Sequence, residues 1–161
     1  MTQEHPFKPI VFKSSKTLIL GSFPSLKSFE NSFYYAHPKN QFWKILSIIS
    51  GYPVNLKDQR IWLLKQCRLA LWDIVKSCKR ETSADSNLKD IIPNDIEALL
   101  KEYPNIEQIA FTSRLSEKIY KKHFSHLDIK TFYLPSPSPA YASMTLEQKA
   151  KRYKELLGDC K

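Results

Sequence analysis

Residues 17–43 read TLILGSFPSLKSFENSFYYAHPKNQFW, and the parsing of this stretch decides the fold. Leu18-Ile19-Leu20 is a short apolar run without polar alternation, the pattern of a strand buried on both faces. It stops at Gly21, one of three glycines in 161 residues. Glycine at a strand's carboxyl end lets the backbone turn sharply or approach a ligand closely. In open α/β sheets ligands lie at that edge. Turn-forming Ser, Pro and Lys follow, then Phe33, Tyr34, Tyr35, His37, Pro38 and Asn40. The stretch reads either as a surface loop whose aromatics pack back onto the core or as a binding loop.

A second stretch, residues 134–142, reads LPSPSPAYA and follows a predicted strand at 129–133. It holds three of the chain's ten prolines. Each Pro fixes its own φ and biases the preceding residue to extended geometry. Ser136 and Ser138 therefore sit in a stiff loop, which loses little entropy when it contacts phosphates. A rigid linker is the other reading, but linkers seldom lie between a strand and a capped helix.

Between these stretches the chain alternates. Phe42, Ile45, Leu46 and Ile49 recur at helical spacing, and Gly51 stands where a helix terminates, with Pro53 beyond. A helix is predicted over 56–66 and a buried strand, RLALWD, over 68–73. From 74 to 92 the pattern weakens into turn chemistry. A helix is predicted over 93–103 with Pro93 first, then a strand over 106–111. Ser113 caps a helix running to about His123. Thr145 and Gln148 form a capping box for the last helix, which Gly158 ends. Residues 1–16 read as a polar, partly mobile lead-in. The expected architecture is a single α/β domain over 1–161, a three-layer α/β/α arrangement around a four-stranded, mainly parallel sheet. Both special loops follow strands, so a parallel sheet brings them to one edge as one site.

The net charge is +9 and the pI about 9.4, with 20 Lys against 5 Arg. This balance favours a polyanion, nucleic acid being the commonest, or a lysine-rich solubilising surface. Cys67, Cys78 and Cys160 have no close spacing, which argues against a disulfide framework, a zinc site or an iron–sulfur cluster. They read as reduced packing cysteines in a cytoplasmic protein. No signal peptide, membrane span or repeat is visible. Neither loop carries paired carboxylates, a phosphate-binding glycine loop or a Ser-His-Asp arrangement. Backbone amides, hydroxyls, aromatics and one amide side chain remain. They suit holding a flat base and a water while a bond already prone to ionise breaks.

GSFPS followed by FYYAHPKNQFW, with SPSPA near the C-terminus, resembles the uracil-DNA glycosylase superfamily. The match is nearest its hypoxanthine-DNA (deoxyinosine) glycosylase branch. The resemblance implies hydrolytic release of hypoxanthine from DNA containing deaminated bases, by base flipping, without metal or cofactor and as a monomer. Asn40 matches the asparagine of an HPxN signature and is the implied catalytic residue; it also stands where an N-cap belongs. Gly21 to Ser25 correspond to the water-positioning loop, with Gly21, Ser22 and Phe23 expected against the substrate and Ser25 against the DNA. Many relatives carry Asp or Asn there, where this chain has Phe23 and Pro24, so an acidic base is absent from that loop. Phe33, Tyr34 and Tyr35 are implied to form a stacking wall, or else core, beside His37. Thr112 replaces a base-reading Asn of several relatives, which favours a purine over uracil. Ser136 stands where some relatives have His, and Ser138 is the implied phosphate contact. Ala140 or Tyr141 would fill the gap left by the flipped base, and Pro139 is a further expected DNA contact. Thr82 replaces a frequent glycine, and Asp85 could line the pocket or cap the next segment. The alternatives are a uracil- or mismatch-specific glycosylase and a non-catalytic nucleic-acid-binding module.

Overall fold

Leu18, Ile19 and Leu20 are fully buried in the computed structural model, as strand residues covered on both faces must be. The structure describes residues 2–31, 33–80, 88–158 and 160, so the expectations for Thr82 and Asp85 lie outside the described residues. Strand β2 (Thr17–Gly21) pairs in parallel with β3 (Leu69–Asp73) on one side and β6 (Gln108–Phe111) on the other. Beyond β6 lies β7 (Lys130–Tyr133), giving a four-stranded parallel sheet in the order β3-β2-β6-β7.

The two-residue period of the strands splits the core in two. Leu18, Leu20, Ile109 and Phe111 face one layer, formed by α4 (Ile96–Glu102) and α5 (Arg114–Phe124). Ile19, Leu69, Leu71 and Ala110 face the other, formed by α2 (Phe42–Ser50), α3 (Lys57–Gln66) and α6 (Leu146–Leu157). The expected α/β/α layering is therefore present. Its helix ends follow the sequence signals. Ser113 Oγ accepts from Ser116 N, and Thr145 and Gln148 form their reciprocal box. Gly51 ends α2 with φ of 78°, the left-handed geometry that favours glycine.

Four expectations need correction. The lead-in contains regular structure: β1 (Thr2–Glu4) pairs antiparallel with β4 (Val75–Lys79), and Ile10 bridges Leu71. With β5 (Lys89–Pro93), these strands form a second, three-stranded sheet. Val75 and Cys78 of β4 anchor it to the core, while the polar side chains of β1 gave no apolar pattern. Pro93 consequently ends β5 rather than opening α4, whose N-cap is Asp95, accepting from Ala98 N. A short helix α1 (Leu26–Asn31) inside the first loop had no periodic signal. Finally, Cys67 and Cys160 are joined in a disulfide across 93 residues of sequence, and Cys78 is the free, buried thiol. Spacing could not reveal a pair made by the return of the C-terminal segment onto the end of α3. Among the described residues no helix is long and apolar enough to cross a membrane.

Candidate active site

All four parallel strands deliver residues to one cavity of about 440 Å³ at their carboxyl edge. Gly21 to Ser25 arrive from β2, Asp73 from β3, Thr112 and Ser113 from β6, and Ser136 to Pro139 from β7. Tyr34, Tyr35, His37 and Asn40 complete the wall. The volume lies within the roughly 300–1,000 Å³ of small-molecule pockets.

The first loop is held by the second sheet. Ile74 N donates to Gly21 O at 2.8 Å and Val75 N to Ser22 O at 3.0 Å. Arg80, from the end of β4, donates through Nε to Gln3 Oε1 at 2.7 Å and through its terminal nitrogen to Pro24 O. Its guanidinium lies 4.8 Å from the Phe23 ring centroid. Ser25 Oγ accepts from Ser28 N at 3.1 Å.

The second loop is stiffened from within and from behind. Ser136 Oγ accepts from Ser138 N, and Ser138 Oγ from Ala140 N, each at 3.2 Å. Tyr153 OH donates to Pro135 O at 2.6 Å. Gln41 N donates to Pro137 O at 2.9 Å, which ties the two loops directly. Lys149 strengthens that tie: Nζ donates to Gln41 Oε1 at 2.7 Å and to Ser138 O at 3.1 Å. Both acceptors are neutral, and burial lowers the pKa of this lysine.

Asn40 lines the cavity and also does the work of a cap. Its Oδ1 accepts from Phe42 N at 2.9 Å, whereas no acceptor among the described residues takes its Nδ2. The carbonyl end is thus turned to the helix and the amide end is a spare donor. Tyr35 sits at φ of 51°, its ring stacked on Phe42 at 4.1 Å. That geometry places Tyr35 OH 2.8 Å from Thr112 Oγ1. Tyr34 OH donates to Lys8 O at 2.9 Å. Burial first, and the Asp73 charge second, hold the Tyr34 hydroxyl far above its ordinary pKa, so it stays neutral. His37 Nδ1 accepts from Lys39 N at 3.1 Å.

Three expected residues stand elsewhere. Phe33 does not line the cavity; its ring stacks on Trp43 at 5.6 Å within the core. Trp43 Nε1 also donates to Tyr34 O, which fixes the turn so that Phe33 points away from the cavity. Ala140 and Tyr141 lie outside the wall and are exposed, just beyond Pro139.

Sequence reasoning missed Asp73 and His5. Asp73 is buried at the end of β3, and its Oδ2 accepts from His5 Nε2 at 2.8 Å. A Cβ on Gly21 would stand 2.5 Å from Asp73 Oδ1. This close approach, rather than a turn, is what Gly21 permits. A signal existed: RLALWD puts a carboxylate at the very end of an apolar strand, at the edge where both loops emerge. Among the described residues, no three His, Cys, Asp or Glu side chains are grouped to hold a metal ion. The cavity therefore offers an amide donor, a hydroxyl pair, aromatic faces and one carboxylate.

Comparison with known proteins places the chain in a family. The family model of the uracil DNA glycosylase superfamily matches residues 9–159. A hypoxanthine DNA glycosylase of Methanosarcina acetivorans is 33% identical over 138 residues, covering 83% of this chain and 85% of the relative. One from Methanosarcina barkeri is 34% identical over 113 residues, 68% of this chain and 71% of the relative. The solution NMR structure of a uracil DNA glycosylase candidate from Methanosarcina acetivorans superposes with a TM-score of 0.83 at 28% identity. It covers 98% of this chain and 97% of that one. The chain belongs to the uracil DNA glycosylase superfamily.

Proposed function

We propose that this protein is a monofunctional DNA glycosylase that hydrolyses the N-glycosidic bond of deoxyinosine and releases hypoxanthine from DNA. The reading is carried by one observation: the loops after β2 and β7 meet Asn40 in a single cavity at the sheet's carboxyl edge. The names of the two curated relatives support the choice of base.

A base inside a duplex cannot reach such a cavity and must be rotated out of the stack. The +9 charge draws the phosphate backbone by counterion release, whatever the sequence. Ser138, Ser136 and Pro139 bind the phosphates flanking the lesion, with the Lys149 ammonium behind them. Tyr141 and Ala140, exposed beside the cavity, occupy the space the base vacates. Inside, the faces of Phe23 and Tyr35 stack on the purine.

Base choice follows from donors and acceptors. Deamination turns an exocyclic amine, a donor, into a carbonyl, an acceptor. Asn40 Nδ2 is the donor that meets this carbonyl, and adenine would place an amine against it. As the C1′–N9 bond breaks, the same hydrogen bond strengthens on the departing, electron-rich base. We place the enzyme in the cytoplasm as a monomeric single domain that needs neither metal nor cofactor. The Cys67–Cys160 bond is unusual for that compartment, so the thiol count of protein isolated under alkylating conditions checks the placement.

The test is base release. Matched oligonucleotides containing hypoxanthine, uracil, xanthine or no lesion are incubated with the protein, and abasic sites are cleaved with alkali. Hypoxanthine strands should be cut fastest. Uracil cut in preference would refute the base assignment. No cutting of any lesion, with binding to DNA retained, would refute the enzymatic reading.

A further inference from the structure

We propose that Asp73 is a second catalytic residue of this cavity, held by His5 as a positioning residue. It stabilises the positive charge developing on the deoxyribose and takes the proton of the attacking water. The proposal rests on the glycosylase reading above. It adds the charged group that the first loop lacks.

Asp73 is 4% exposed yet lines the cavity, where it is the only carboxylate among the described lining residues. A buried carboxylate is costly unless paired, and a buried pair rarely stabilises a fold better than apolar side chains would. Its presence here points to use. His5 binds only Oδ2, leaving Oδ1 on the Gly21 side, where the absence of a side chain gives it room.

His5 is fixed for this task. Its side chain is 3% exposed, with the rings of Phe7, Phe23 and Tyr34 within 5.8 Å. Its Nδ1 stands 2.9 Å from Phe7 O and 3.2 Å from Phe7 N. A neutral ring can accept from that amide, and a charged ring can donate to that carbonyl. In both states Nε2–H donates to Asp73, so the carboxylate keeps its orientation.

The chemistry balances. The C1′–N9 bond breaks and both electrons leave on the base, so that positive charge spreads over C1′ and the ring oxygen. A preorganised negative charge nearby lowers the energy of that state. A water oxygen then gives an electron pair to C1′. Its proton passes to Asp73 Oδ1 and on to solvent, while the departing base takes a proton from solvent. The products are an abasic deoxyribose and neutral hypoxanthine.

The experiment uses the full chain and a hypoxanthine-containing duplex in single turnover, with rates per folded molecule. Asp73→Asn keeps the shape and removes the charge. Its rate should fall roughly 10²–10⁴-fold, with duplex affinity unchanged or slightly raised. His5→Gln keeps a donor toward Asp73 and should lose less, roughly 10–100-fold, the scale of one hydrogen bond to a charged group. In Asp73→Ala, added formate should restore part of the rate, a rescue that a merely structural carboxylate would not show. A folded Asp73→Asn with the parent's rate overturns the proposal. Should that variant fail to fold, a His5→Gln variant with lowered stability but the parent's rate overturns it equally. A parent protein that releases no base refutes the functional reading itself; an active parent with equally active variants refutes this inference alone.

Discussion

Gly21→Ala is the sharpest probe of the cavity, because the structure states what the added methyl meets. Its carbon would stand 2.5 Å from Asp73 Oδ1, 3.0 Å from Tyr35 OH and 3.4 Å from Thr112 Oγ1. Real contacts of this kind do not go below about 3 Å, so something must move. The strand cannot yield easily, since β2 is paired along its length with β3 and β6. Nor can the carboxylate swing freely, because His5 holds its other oxygen at 2.8 Å. The expected cost is that of overpacking, about 1–3 kcal/mol. For a chain of this size each kcal/mol lowers Tm by roughly 2–4 °C, so a fall of roughly 2–12 °C is expected. Calorimetry of the variant measures it, and a double-mutant cycle with Asp73→Ala assigns it. If the clash is with the carboxylate, most of the cost should vanish in the Asp73→Ala background. Excision should fall in Gly21→Ala beyond what stability explains, because Oδ1 is pushed from its place. A Gly21→Ala protein with the parent's Tm would refute the close-approach argument. So would a cost that stays the same without the carboxylate.

Two further outcomes follow from the loops. Asn40→Ala should lower the single-turnover rate by roughly 10²–10⁴ and stability by about 1 kcal/mol through the lost Phe42 bond. Asn40→Asp should retain the stability, because its carboxylate still accepts from Phe42 N, but lose the rate along with the Nδ2 donor; parent-like rates in both would make Asn40 purely a cap. Affinity for undamaged duplex should drop steeply between low and moderate salt. Ser138→Ala should weaken lesion binding by on the order of 1 kcal/mol, and a flat salt titration together with unchanged Ser138→Ala binding would remove this face from the DNA contact.

What the sequence made legible was periodic. Leu18-Ile19-Leu20, the i, i+3, i+4, i+7 set from Phe42 to Ile49, and the Thr145–Gln148 box each contain their own evidence within one element. The parallel sheet, its layers and the meeting of two loops followed from these. Less legible was whatever depends on pairing between distant segments. Thr2 to Glu4 are polar and become a strand only because β4 offers them hydrogen bonds. Cys67 meets Cys160 only because the C-terminal segment returns to the end of α3. Phe33, Tyr34 and Tyr35 were indistinguishable by composition. The left-handed backbone at Tyr35 sends its ring to the cavity, while Phe33 goes to Trp43 in the core.

The same division explains the misplaced acid. Judged locally, Phe23 and Pro24 leave the stretch from Gly21 to Ser25 without a carboxylate. The fold returns a carboxylate to the cavity from the neighbouring strand, one hydrogen-bonded register position away, since Gly21 pairs with Asp73. Phe23 takes part in that arrangement. Its ring lies 5.8 Å from the ring of His5 on one contact and 4.8 Å from the Arg80 guanidinium on another. Arg80 in turn binds Gln3 and Pro24, so the loop, the N-terminal strand and the hairpin strand β4 are closed around His5. An aspartate in place of Phe23 would set a second negative charge beside Asp73 and remove the apolar wall that holds its histidine. With Asp73 supplied by β3, an aromatic residue at position 23 is the choice that keeps the carboxylate's histidine, and so the carboxylate, in place.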